Sequence, residues 1–152
     1  MIEIYTDGSN VYNGKPHSYG GYGYVILNNG DIIKNGGSMP INNRNAVTNN
    51  RAELMAIIES MKHVPSIVDI IPDKVIIYSD SQWCVNCATG LWSRKKNIDL
   101  WAKFNKIKSA YNLYQIKLEI IWVKGHIGIE YNEMADNLAG YYCKLAKDME
   151  PV

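Results

Sequence analysis

The sequence predicts an α/β fold of 152 residues built on a five-stranded mixed sheet with helices on both faces. Three observations predict it: an opening stretch of alternating residues with a tight-turn signal, a change from strand to helix period near Asn50, and strands that then alternate with helices. Residues 1–6 set Ile2 and Ile4 against Glu3 and Tyr5. Residues 22–27 and 31–36 flank Asn28-Asn29-Gly30, whose Asn-Gly step is a strong short-range hairpin signal. Leu54, Ile57, Ile58 and Met61 then recur at helical spacing in a segment ending before Pro65. A continuously apolar run over 75–78 reads as a strand covered on both sides. A short helical piece over 82–88, a longer helix over 98–111, a strand over 116–123 and a last helix over 131–147 complete the order βββ-α-β-α-α-β-α. That last helix gathers Ala135, Leu138, Ala139, Tyr142 and Leu145 on one face.

With no repeat, low-complexity tract or linker, the chain reads as one domain over 1–152. Its longest apolar run is the five residues Leu54 to Ile58, too short for a membrane span or a signal-peptide core. Three cysteines form no disulfide framework and point to a reducing, cytoplasmic setting. The net charge of +1 hides an asymmetry. Residues 94–124 hold eight of the sixteen Lys and Arg against Asp99 and Glu119, a net +6, while the remainder carries −5. A basic strip beside gathered carboxylates suits a protein that meets a polyanion.

Asp7 ends the first strand and Asp80 the fourth; if those strands are parallel neighbours, both acids face the crevice at their carboxyl ends. Glu53 stands three residues after Asn50, the spacing of a capping box, and also at the border of the apolar stripe, where it can lean over the sheet edge. Asp136 is aimed inward by its place beside Ala135 and Ala139. Carboxylates about 4 Å apart repel by several kcal/mol per pair at an effective dielectric near 20, so such a cluster demands cations. Hard oxygen ligands select Mg²⁺ or Mn²⁺, and two divalent ions would balance about four negative charges, the arrangement of two-metal phosphodiester chemistry.

Five motifs occur in order: Thr6-Asp7-Gly8-Ser9, Thr48-Asn49-Asn50-Arg51-Ala52-Glu53-Leu54, Ser79-Asp80-Ser81-Gln82, Trp122-Val123-Lys124-Gly125-His126 and Asn132-Glu133-Met134-Ala135-Asp136. In order and approximate spacing they resemble the type 1 ribonuclease H family over about residues 1–146. The resemblance implies a ribonuclease H-like fold and a catalytic metal set of Asp7, Glu53, Asp80 and Asp136 holding Mg²⁺, with Mn²⁺ as a substitute. It implies cleavage of the RNA strand of RNA/DNA hybrids to 3′-hydroxyl and 5′-phosphate ends, with His126 assisting proton transfer or product release. Gly8, Ser9, Asn49, Asn50 and Gln82 match positions that contact the hybrid, and Thr48 resembles the residue of the DNA-strand phosphate pocket. Trp92 beside Arg94, Lys95 and Lys96 joins aromatic surface to cations, suited to resting on a sugar and gripping phosphates.

Two departures stand out. About fifteen residues separate Gln82 from Ile98, so the long basic protrusion of cellular bacterial relatives is shortened or missing, and the expectation is a chain without an amino-terminal hybrid-binding domain before Met1. A free-standing monomer with fewer phosphate contacts and steep salt dependence is the expectation. Among rival readings, Cys84 and Cys87 form a Cys-x-x-Cys but sit at i and i+3, where they share the buried face of a short helix. Zinc lacks a second pair of ligands. A non-catalytic hybrid-binding module would lose an acid, and all four are present. A DNA nuclease on the same fold shares the acids, but the motif over 48–54 and the His126 loop favour the ribonuclease.

Overall fold

In the computed structural model, which describes residues 1–15, 17–39, 47–124 and 130–149, the elements follow the expected order. They are β1 (Ile2–Val11), β2 (Tyr19–Asn28), β3 (Asp31–Ser38), α1 (Asn49–Ile67), β4 (Lys74–Ser79), α2 (Gln82–Ala88), α3 (Ile98–Leu113), β5 (Lys117–Trp122) and α4 (Glu130–Asp148). The sheet order is β3-β2-β1-β4-β5, antiparallel through the first three strands and parallel from β1 to β4 and β4 to β5. The β2–β3 hairpin turns on Asn29 and Gly30 with φ of 49° and 88°, the two positive values that a type I′ turn requires.

Ile2, Ile4 and Ile26 of the sheet pack with Leu54, Ile57, Ile58 and Met61 of α1, and with Ile77 and Phe104, in one core. Helix α1 is buried on nearly every side from Arg51 to Ile58, lying between the sheet and the α2 and α3 side of the molecule. On the opposite face α4 covers β1 to β3. Its buried line is Ala135, Ala139, Cys143 and Ala146, with Leu138, Tyr142 and Leu145 half-buried beside it. Small residues on both sides bring helix and sheet together: a Cβ on Gly23 would fall 2.6 Å from the Ala135 carbonyl oxygen.

Three boundaries differ from the sequence reading, each for a physical reason. Strand β1 does not stop at Asp7 but continues to Val11, because β2 goes on pairing with it through Asp7↔Gly23 to Val11↔Tyr19 after β4 has ended. Helix α1 starts two residues earlier than expected: its N-cap is Thr48, whose Oγ1 accepts from the Arg51 N–H at 3.1 Å, so Glu53 is not the partner of an Asn50 cap. It also runs through Pro65. Proline offers no N–H to the Met61 carbonyl, and the Tyr111 hydroxyl donates to that oxygen instead, at 2.7 Å.

Candidate active site

Parallel register sets the centre of the site. Thr6↔Ser79 is the last pair between β1 and β4, so the next residues, Asp7 and Asp80, leave the ladder side by side at the crevice where the strands part. Below them the Thr6 hydroxyl donates to the Tyr78 carbonyl at 3.1 Å, and the Ser81 N–H donates to Ser79 Oγ at 3.1 Å. Gly8 decides how near α1 can come. A Cβ there would lie 2.5 Å from the Glu53 nitrogen and 2.6 Å from the Ala52 carbonyl carbon, so its absence lets the helix backbone rest against β1.

Glu53 is thereby brought to the two aspartates: Asp7, Glu53 and Asp80 each offer a carboxylate oxygen within 4.8 Å of the others. Asp136 stands outside that set of three, yet from α4 it is near enough to Asp7 to help raise that carboxyl. Asp7 and Glu53 are nearly sealed from solvent, at 6% and 3% exposure. Burial pushes both carboxyls well above the ordinary carboxylate range, and the charge of Asp80 adds to the effect on each. The Gly8 N–H, 2.9 Å from Asp7 Oδ1, partly opposes this by stabilising the ionised form. Glu53 Oε2 is buried with no hydrogen-bond partner among the described residues. A buried acceptor left without a donor, inside a set made wholly of hard oxygen ligands, is what a divalent cation would satisfy.

The expected substrate-facing residues lie at helix starts, on the strand that leaves this centre and in the connection between α2 and α3. Gly8 and Ser9 follow Asp7 along β1, half-buried. Thr48, Asn49 and Asn50 form the cap and first residues of α1, with the Asn49 N–H donating to Asn13 Oδ1 at 2.8 Å. Gln82 opens α2, exposed, behind the Ser81 cap on the Cys84 N–H. Trp92, Lys95 and Lys96 are exposed in the connection between α2 and α3. Arg94 is not free to meet a phosphate in the same way. Its Nε and Nη2 donate to the carbonyls of Cys87 and Ala88 at the end of α2, and its guanidinium lies 4.4 Å from the centre of the Trp101 ring. His126 lies outside the described residues. Cys84 and Cys87 are buried free thiols on the inner face of α2, donating to the carbonyls of Asn50 and Ser93, and burial raises both thiols, the opposite of a reactive pair.

Arg51 plays a part that the sequence reading does not assign. Buried beside Glu53 in α1, it makes a two-pronged ion pair with Asp99 at 2.7 and 2.9 Å and donates to Asn97 Oδ1 at 3.1 Å. That contact holds Asp99 below the usual carboxylate range and ties the start of α1 to the start of α3. The one sequence signal for it is a cation in the first turn of a helix, where the helix dipole disfavours positive charge unless a partner is supplied.

Fold and site together define a class: a mixed-sheet protein with a carboxylate centre able to hold a divalent cation for phosphoryl chemistry. The RNase H family model matches residues 1–144. Ribonuclease H of Treponema denticola is 32% identical, over 94% of this chain and 97% of its own length. Ribonuclease H of Campylobacter jejuni is 38% identical, over 91% and 88%. Among solved structures, LC11-RNase H1 in complex with an RNA/DNA hybrid superposes with a TM-score of 0.76 at 25% identity, over 97% of this chain and 99% of its own. The chain belongs to the RNase H family, whose members generally use divalent metal.

Proposed function

We propose that the chain is an endonuclease that hydrolyses the RNA strand of RNA/DNA hybrids, leaving 3′-hydroxyl and 5′-phosphate ends, and that it acts as a monomeric single domain in the cytoplasm. The observation that carries this reading is the meeting of Asp7, Glu53 and Asp80 within 4.8 Å, with Glu53 Oε2 buried and unpartnered. Support for the substrate class comes from the relatives' family and from the RNA/DNA hybrid held by LC11-RNase H1. Two Mg²⁺ ions held by Asp7, Glu53, Asp80 and Asp136, or Mn²⁺ in their place, would supply Lewis-acid polarisation of the scissile phosphate and a more acidic water.

The chain's own residues do the rest. The Gly8 backbone with Asn49, Asn50 and Gln82 offers uncharged donors and acceptors, the chemistry that senses a 2′-hydroxyl in a shallow minor groove. Thr48 stands at the mouth of α1 for a phosphate of the DNA strand, next to N–H groups of the first helical turn. Exposed Trp92 presents a face for a sugar, and Lys95 and Lys96 supply positive charge for phosphates. His126 assists proton transfer or product release; His126→Ala slows the reaction without stopping it. The decisive experiment incubates the protein with end-labelled RNA/DNA, RNA/RNA and DNA/DNA duplexes, with Mg²⁺ and with chelator. Cleavage of the hybrid's RNA strand alone, and only with metal, is expected. Cutting of the DNA duplex would move the protein to the DNA nucleases that share its acids.

A further inference from the structure

The connection between α2 and α3, residues 89–97, has no regular secondary structure, yet its inward-facing groups are bonded at close intervals. It leaves α2 through Gly90 at φ 84° and enters α3 through Asn97 at φ 61°. The Trp92 N–H donates to the Asn86 carbonyl at 3.0 Å. Arg94 is the central fastening. Besides its bonds to Cys87 and Ala88 at 2.9 and 3.2 Å, its Nη1 donates to Asn105 Oδ1 of α3 at 2.6 Å. The guanidinium packs over Trp101 and Phe104, 4.4 and 5.3 Å from the ring centres. At the far end Arg51 grips Asn97 and Asp99. With Arg94 and Asn97 turned inward, Leu91, Trp92, Ser93, Lys95 and Lys96 are left outward.

We infer that Arg94 is a positioning residue for the hybrid: it takes no phosphate itself but clamps the 89–97 connection in advance, so that Trp92, Lys95 and Lys96 meet the substrate already ordered. This rests on the hybrid-cleaving reading above. The physical ground is entropy. Ordering a free connection costs backbone entropy at every residue, and a pre-ordered one escapes most of that cost at the moment of binding. A short connection lacking a long basic arm has few phosphate contacts to offer, so holding them in place matters more. Arginine suits the task because its planar fork reaches two helix-end carbonyls and a side-chain amide while its face lies on an aromatic ring; the compact ammonium of lysine cannot do both at once.

A phosphate contact and a clamp give opposite results. Hybrid binding is measured against salt in chelator for wild type, Arg94→Lys, Arg94→Ala and Lys95→Ala, with hydrogen exchange of residues 89–97 in the free protein and kcat and KM in Mg²⁺. For the clamp, both Arg94 variants weaken binding about tenfold and lose exchange protection in the connection. The loss falls on KM, and the slope of log affinity against log salt stays at the wild-type value. Lys95→Ala keeps the protection and reduces the slope by about 0.9. The inference is overturned if Arg94→Lys binds like wild type, or if the Arg94 variants reduce the slope while the exchange pattern is unchanged. Because exchange is read without substrate, it judges the clamp even if wild type fails to bind or cut the hybrid, a failure that would sink the ribonuclease reading instead.

Discussion

Asp7 and Glu53 are held by the metal-free fold against their own preference. Burial lifts both carboxyls above their unfolded values of about 3.9 and 4.3, so folding favours their protonated forms. A group raised in the folded state contributes fully to stability below its unfolded pKa and loses that contribution as pH climbs through the folded value. In chelator the cluster therefore weakens the fold progressively from about pH 4 upward. Asp7→Asn removes one of the buried charges at nearly constant volume. It is expected to abolish cleavage and, in chelator, to melt a few degrees above wild type, by an amount that grows between pH 5 and pH 8. Thermal melts across that range check it, and a variant that melts lower at every pH would mean that the lost hydrogen bonds outweigh the relieved charge. Tyr111 offers the opposite case, a residue whose loss touches only the fold. Without its hydroxyl the Met61 carbonyl opposite Pro65 has neither of its usual donors, so Tyr111→Phe should cost about 1–2 kcal/mol and lower Tm by about 2–8 °C with kcat unchanged.

Helices α1 and α4 bring two of the four acids to the strands, and glycine decides how near each comes. At Gly8 a Cβ would meet backbone atoms of Ala52 and Glu53, which cannot swing aside as a side chain can. Gly8→Ala is expected to push the start of α1 off β1, costing about 2 kcal/mol or more and reducing activity beyond what the stability loss explains, since Glu53 moves with the helix. Gly140, in the exposed middle of α4, has nothing within 4 Å of where its Cβ would be. Gly140→Ala should therefore stabilise by about 0.5–1 kcal/mol with unaltered cleavage; denaturant melts of both variants test the contrast. The elements themselves were legible in the sequence, because Leu54, Ile57, Ile58 and Met61 keep one period and Asn29-Gly30 has one good turn. The start of α1 was not, since Thr48, Asn49 and Asn50 are all capping types in succession and the choice among them falls to tertiary contacts. Nor was the fate of Arg94: local charge beside Lys95 and Lys96 suggests a phosphate, while the carbonyls and rings that hold it come from α2 and from residues seven and ten positions on.

At the scale of the whole molecule, the acids were legible because the register β1 to β4 and the crossover through α1 leave little choice about where Asp7, Asp80 and Glu53 go. What the chain concentrates there is a local negative charge inside a protein whose net charge is only +1. Local repulsion on that scale makes global stability respond to cations. A ligand bound by the native state and not by the unfolded chain stabilises by RT ln(1 + [L]/Kd), about 2.7 kcal/mol at a hundredfold excess over Kd. For a domain of this size that is a Tm rise of about 5–11 °C. Protons compete for the same oxygens, and the raised affinity of Asp7 and Glu53 for protons makes the competition felt well above pH 4. The Mg²⁺-induced rise in Tm should accordingly be large at pH 8 and shrink toward pH 5, and Glu53→Gln should lose most of it at both. Calorimetry with MgCl₂ against NaCl of equal ionic strength separates a site from general screening. If sodium raises Tm as much as magnesium, or if Glu53→Gln responds like wild type, the three carboxylates do not act together as a cation site, and the proposed hydrolytic centre goes with them.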